Sequence, residues 1–180
     1  LGVCYASTGK NDGGRLLTVN LNTGAGTLIG STGLNAVPAL AINSNGGIYG
    51  VDGDNFDLCS IDAGSGTAVI IANTGLNSLP AVGFDNSDAL YGLGKDPSTS
   101  RWNLYTINAS TGTLTIIGST DTGISWRGMA FDPLTGALWA STNREEIYVI
   151  DVKTGEVGLI GTTGLSVGTP DIFFDNEGNL

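Results

Sequence analysis

The sequence predicts an all-β protein built from four copies of one four-stranded unit, and three observations predict it. Short apolar runs ending in Asp or Asn recur as PALAIN, PAVGFD, RGMAFD and PDIFFD, ending at Asn43, Asp85, Asp132 and Asp175 with spacings of 42, 47 and 43 residues. After each comes a tight turn and a second apolar run: GGIYGVD, DALYGLG, GALWAS and a shortened GNL. Helical periodicity is absent. No window sustains apolar residues at i, i+3, i+4 and i+7, and glycine interrupts every run long enough to hold them.

The remaining strands follow in the same order in each copy. A third run ends in Asn or Asp before a glycine turn, as RLLTVN-LNTG, DLCSID-AGSG, NLYTIN-ASTG and EIYVID-VKTG. A fourth follows at once, as TLIGSTG, AVIIANTG, LTIIGSTDTG and VGLIGTTG. Asp, Asn and Gly recur at these places because Asx side chains cap turns and Gly accepts left-handed backbone. Four short strands per copy, with turn signals every 8–12 residues or so, make the blade of a β-propeller. The expected fold is therefore a propeller of four four-stranded blades in one unit, 1–180. Its blades are approximately 38–73, 80–118, 127–161, and 170–180 plus 1–30, so one blade is split between the N- and C-terminal segments.

On these residues the chain resembles bacterial propellers of the YVTN and NHL-like type. Their blades also read as inner strand, "spdG" hairpin, "lYV" strand, "vsvID" strand, "TG" turn and outer strand. The resemblance implies inner strands at Pro38–Asn43, Pro80–Asp85, Arg127–Asp132 and Pro170–Asp175. Small residues alternate there (Ala39, Ala41, Ala81, Gly83, Gly128, Ala130), as expected where strands converge on an axis; Asp171 and Phe173 break the pattern. The larger alternate set, from Leu40 to Phe174, is expected to form the core between blades. The GH and WD dipeptides of WD repeats are missing.

The two chain ends look like parts of one blade. Joined, they read FDNEGNL–LGVCYAST, parallel to FDNSDALYGLG. Either the ends clasp each other and close a four-bladed ring, or the chain is one unit of a longer chain or polymer. In the second case Leu1, Gly2 and Val3 of one unit would join Gly178, Asn179 and Leu180 of the next, and neighbouring units complete each other's split blade. Two copies closing an eight-bladed ring fit the same repeat count.

Composition narrows the partners. Seven basic against seventeen acidic residues leave a net charge of −10, which repels phosphate backbones and argues against nucleic-acid binding. No apolar run approaches the roughly 20 residues that span a bilayer, so membrane insertion is not expected. The acidic balance, with sparse Lys and a Thr-, Gly- and Asn-rich surface, points to an extracellular or cell-surface protein. Cys4 and Cys59 are too few for a disulfide framework and lack zinc spacing; each reads as a small buried hydrophobe or as half of one bridge.

The chemistry on offer is thin. Asp52, Asp54 and Asp57 in the loop VDGDNFD could converge on Ca²⁺, a hard ion that takes several oxygen ligands. Asp171 and the Asp175-Asn176-Glu177 turn are further acidic candidates. No cofactor is required by the sequence. With no His there is no His-based triad or His-ligated metal, and no carboxylate pair stands out for glycoside hydrolysis. Gly24-Ala25-Gly26 and Gly64-Ser65-Gly66 join strand to strand, so they are not phosphate loops. Trp126, just before an inner strand, is the tryptophan expected at the surface, where it could stack on a sugar; Trp139 is expected in the core. Asn108-Ala109-Ser110 is a glycosylation sequon placed on a turn. The expected function is that of a non-enzymatic structural or interaction module in an assembly of like units held by strand complementation. The alternative is a glycan-binding propeller.

Overall fold

A computed structural model describes residues 3–120, 122–164 and 171–180. Among these residues fifteen strands run in chain order as four antiparallel sheets. The first sheet holds β1 (Cys4–Ser7), β2 (Arg15–Val19) and β3 (Gly26–Ser31), with a short 3₁₀ turn at Lys10–Asp12. The second holds β4 (Ala39–Ile42), β5 (Ile48–Val51), β6 (Leu58–Ile61) and β7 (Ala68–Ala72). The third holds β8 (Ser78–Phe84), β9 (Leu90–Lys95), β10 (Trp102–Ile107) and β11 (Leu114–Ser119). The fourth holds β12 (Trp126–Phe131), β13 (Leu138–Thr142), β14 (Glu146–Ile150) and β15 (Val157–Thr162). Each sheet is a meander in sequence order, and together they form the four-bladed propeller that the repeats predict.

Local chemistry explains where each strand stops. Asn20 caps its turn by accepting the amides of Asn22 at 2.9 Å and Thr23 at 3.2 Å, while Gly24 N–H donates to the Asn20 carbonyl at 2.7 Å. Asp62, Asn108 and Asp151 build the same turn after β6, β10 and β14. The Thr of the recurring STG or NTG stretch has a second task. Thr74 donates its hydroxyl to the Phe56 carbonyl at 2.7 Å, and Thr32 donates to the carbonyl of Gly14, tying each outer strand back to the loop before the third strand. Asn108, the sequon residue, spends its side-chain oxygen on the amides of Ser110 and Thr111.

Packing between blades supplies the core. One apolar cluster joins the first and second sheets around Leu16, Val37, Ile48, Cys59 and Ile61. Another joins the second and third through Ala39, Val51, Leu58, Val82, Tyr105 and Ile107. The last joins the third and fourth through Leu93, Leu104, Trp126, Leu138, Tyr148 and Ile150. A side chain such as Leu104, fully removed from water, contributes about 1.5–3 kcal/mol.

The small residues of the inner strands lie where successive inner strands meet. Ala39 and Ala41 are buried with Val82 and Phe84 of the next blade, and Ala81 is buried with Met129. They are seats for the following blade's bulky side chains, needed because successive inner strands lie against each other. Aromatic pairs repeat the arrangement one position on. Tyr49 meets Phe84 edge-on at 5.3 Å, Tyr91 meets Phe131 at 5.2 Å, and Trp139 meets Phe174 at 5.9 Å.

That last pair places the C-terminal segment. Phe174 stands where the inner strand of a further blade would stand, and a Cβ on Gly128 would lie 2.4 Å from the Asp171 carboxylate. The expected strand Pro170–Asp175 is only partly realised. Pro170 lies outside the described residues, and 171–175 runs along β12 without entering a ladder.

Candidate interaction site

Among the described residues the first sheet lacks the inner strand that the other three have, and its ladder shows which edge is left unpaired there. In the second blade Asn43 N–H donates to the Gly47 carbonyl at 3.1 Å, towards β4, and Asp52 N–H donates to Asp57 at 2.9 Å, on the β6 side. Backbone groups alternate along an antiparallel strand, so Tyr49 and Val51 also face β4. The register Cys4↔Val19 and Tyr5↔Thr18 matches Ile48↔Ile61 and Tyr49↔Ser60, which makes Tyr5 and Ser7 the equivalents of Tyr49 and Val51. Their N–H and C=O groups point to an edge that no strand among the described residues occupies. A strand edge of this kind is a template for pairing.

The other end of the described chain holds the segment 171–175, which lies along β12 outside any ladder. Phe173 is 64% exposed and Leu180 56% exposed, and the segment is held at its far end by a turn. Asp175 accepts the Glu177 and Asn179 amides and the Asn179 side-chain amide, and these bonds, the last foremost, hold its carboxyl below the usual carboxylate range. Asp171 is opposite in sign. Desolvation beside β12 raises its pKa, partly offset by the Ile172 amide that it accepts.

The register of the two ends corrects their expected continuity. Asp175 N–H donates to the Asn179 carbonyl as Asp85 does to Ala89, so Leu180 is level with Leu90, the residue that opens β9. Cys4 pairs with Val19 as Leu90 pairs with Ile107, so Cys4 occupies that same level. Leu180 and Cys4 therefore stand at the same level of the repeat and are not in consecutive parts of it. Leu1 and Gly2 lie outside the described residues. Val3 is exposed.

The calcium candidates are not brought together. Asp52 is buried, and its carboxylate accepts the Asp54 amide at 3.2 Å and the Asn55 side chain at 3.0 Å. Asp54 turns to Asn35 at 2.5 Å and Lys10 at 3.4 Å; the Asn35 bond foremost lowers its pKa. Asp57 accepts from the Asn73 side chain at 2.6 Å. Each carboxylate is taken up by different partners, Asp52 within its loop and Asp54 and Asp57 by residues outside it, and no group of three metal-ligating residues forms among the described residues.

Trp126 is corrected as well. Its exposure is 0%, and its ring lies edge-on to Tyr148 at 5.3 Å inside the junction of the third and fourth blades. The Tyr148 strand closes over it, so no face remains for a sugar. The indole N–H groups of Trp126 and Trp139, the hydroxyls of Thr120 and Thr122 and Nε of Arg127 are buried without a hydrogen-bond partner among the described residues. Cys4 and Cys59 are free thiols; burial raises that of Cys59 to about 11, which leaves it inert.

No family model and no curated protein matches the chain. Solved structures do. A chain of a nidogen–laminin complex superposes with TM-score 0.69 at 18% identity, over 96% of this chain and 65% of that one. Virginiamycin B lyase from Staphylococcus aureus gives TM-score 0.60 at 12% identity, over 94% of this chain and 59% of that one. YCF48 bound to D1 peptide gives 0.55 at 13% identity, over 89% of this chain and 51% of that one. The chain thus spans less than two thirds of the length of each. At these identities the likeness shows the fold: the chain is a β-propeller repeat protein. No helix among the described residues is long and apolar enough to cross a membrane.

Proposed function

We propose that this propeller is a non-enzymatic interaction module of an extracellular assembly, and that it binds by accepting an inner strand on the free edge of β1. The observation that carries the reading is the outward set of backbone groups on Tyr5 and Ser7, in a blade that shows three strands among the described residues where its siblings show four. The natural occupant is a segment like 171–175. By the repeat register it would pair Phe174 with Cys4, Phe173 with Tyr5, Ile172 with Ala6 and Asp171 with Ser7, as Phe131 pairs with Leu138 in the fourth blade. Strand addition of this type takes affinity from main-chain bonds and specificity from alternate side chains. Like units would then join head to tail. Propellers of the same fold include those seen in a nidogen–laminin complex and with a bound D1 peptide, which supports a binding role; one lyase shares the fold too. The glycan reading has lost the surface ring that recommended it.

Amide hydrogen exchange tests the edge directly. A peptide spanning Asp171–Leu180 is added to the intact chain and the amides of Tyr5 and Ser7 are followed. Slowed exchange at those two positions supports strand addition; unchanged exchange at saturating peptide rules it out.

A further inference from the structure

Adjacent blades meet not only through apolar clusters but also through one recurring close contact at the rim. Gly30, on the outer strand of the first blade, receives the turn of the second: a Cβ there would lie 2.0 Å from the Ser65 carbonyl oxygen. Gly118, on the outer strand of the third blade, receives the turn of the fourth, with a Cβ 1.8 Å from the Thr154 carbonyl oxygen. At the middle junction the partners are Ala72 and Gly112, where a Cβ on the glycine would lie 2.5 Å from that of Ala72. The turn glycines Gly66, Gly112 and Gly155 are all buried by these contacts.

The fourth outer strand carries the same feature with no described residue in it. Gly161 aligns with Gly30, Ala72 and Gly118, its backbone is not left-handed, and no described atom lies within 4 Å of where its Cβ would be. Nothing among the described residues therefore requires glycine at that position. The residue before it tells the same story. Ile29, Ile71 and Ile117 pack into the junction clusters, but Ile160 is 59% exposed. Val149, Glu156 and Ile160 border a shallow recess on this face.

The opposite end of the molecule carries the matching half. The turn Asn20–Gly24 aligns with Asp62–Gly66, Asn108–Gly112 and Asp151–Gly155, yet Gly24 is exposed, with open space around it among the described residues. Behind it, Cys4, Leu17 and Val19 are only half-buried. Their counterparts at closed junctions are covered: Leu90, Tyr105 and Ile107 are 2%, 2% and 4% exposed.

We propose that these two faces dock on each other between copies of this chain, the fourth blade of one receiving the first blade of the next. The Asn20–Gly24 turn seats against Gly161, and Ile160 packs against Leu17 and Val19. What covers each face is shown within the molecule, since three internal junctions already pair a face of the one kind with a face of the other. The contact is head-to-tail, so it propagates or closes according to the rotation between copies. The proposal rests on the interaction-module reading but adds a surface that strand addition does not use.

Gly161→Val and Ile160→Asp test it in the full chain by sedimentation velocity over a wide range of concentrations, with thermal melting as a fold control. Wild-type chains are expected to self-associate, and each variant to weaken association at least tenfold while melting with the wild type. Variants that associate as the wild type does would overturn face docking, even where the peptide still protects Tyr5 and Ser7. A wild-type chain that stays monomeric throughout would overturn the second copy as the occupant, and strand addition would still stand or fall on the peptide experiment.

Discussion

The junction between the third and fourth blades and the free face of the fourth blade are built from the same residues and meet different fates. Ile117 and Gly118 on β11 are sealed by Tyr148, Val157 and the Thr154-Gly155 turn; on β15 Ile160 is 59% exposed and no described atom lies within 4 Å of a Cβ on Gly161. Strand, bulge and turn are alike in both places. The third and fourth outer ladders even break register at the same point, after Leu104 and after Ile147. A blade thus owes its strands to its own sequence and its burial to its neighbour. That is the behaviour of a solenoid-like array, in which stability is a sum of units and nearest-neighbour interfaces.

The sharpest way to break the comparison is to put one side chain at both glycines. Gly118→Val should destabilise by roughly 3 kcal/mol or more, because a backbone carbonyl stands in the way and cannot yield as a side chain could. Gly161→Val should melt within experimental error of the wild type. Equal losses would mean that the two positions are not in different environments. A smaller contrast is expected one residue earlier. Ile117→Ala should cost about 1–2 kcal/mol in chemical unfolding, and Ile160→Ala close to nothing in dilute protein. The smallest effect should be indifferent to junctions altogether.

Asp132 and Asp175 cap turns on the two sides of the boundary, and hydrogen bonds hold both carboxyls below their ordinary value, from the Thr135 hydroxyl foremost in one and the Asn179 amide foremost in the other. A depressed folded pKa contributes stability that is present above the unfolded value, near 4, and is lost as pH falls through the folded one. The melting temperature should therefore hold steady from neutral pH down to about 5 and fall below about 4. Asp171, raised by burial, works against the trend, and the Asp171→Asn variant should show a slightly steeper acid limb. Both exposed caps are screened by water, so either Asp→Asn change should shift the melting point only slightly.

Much of this was legible in the chain itself, and the parts that were not share a cause. The Asx–Gly turns could be read because they are closed by atoms within four residues: Asn20 binds Asn22, Thr23 and Gly24. Strand order followed from the repeat. Trp126 was misplaced because its cover, Tyr148, comes from another strand of its blade, and no local pattern distinguishes an aromatic ring about to be covered from one left bare. Asp52, Asp54 and Asp57 are neighbours in sequence, but their carboxylates are claimed by Asn55, Asn35 and Asn73 from three directions.

By itself, then, the sequence determined the all-β class, the four copies and their turns, since each is fixed by backbone preference and short-range hydrogen bonds. Only the tertiary structure decided which of the equivalent positions Gly30, Ala72, Gly118 and Gly161 are covered, which tryptophan is buried and which strand edge stays open. Those outcomes depend on whether a further blade is present to exclude water, and the water-facing and blade-facing versions of a strand are written with the same letters.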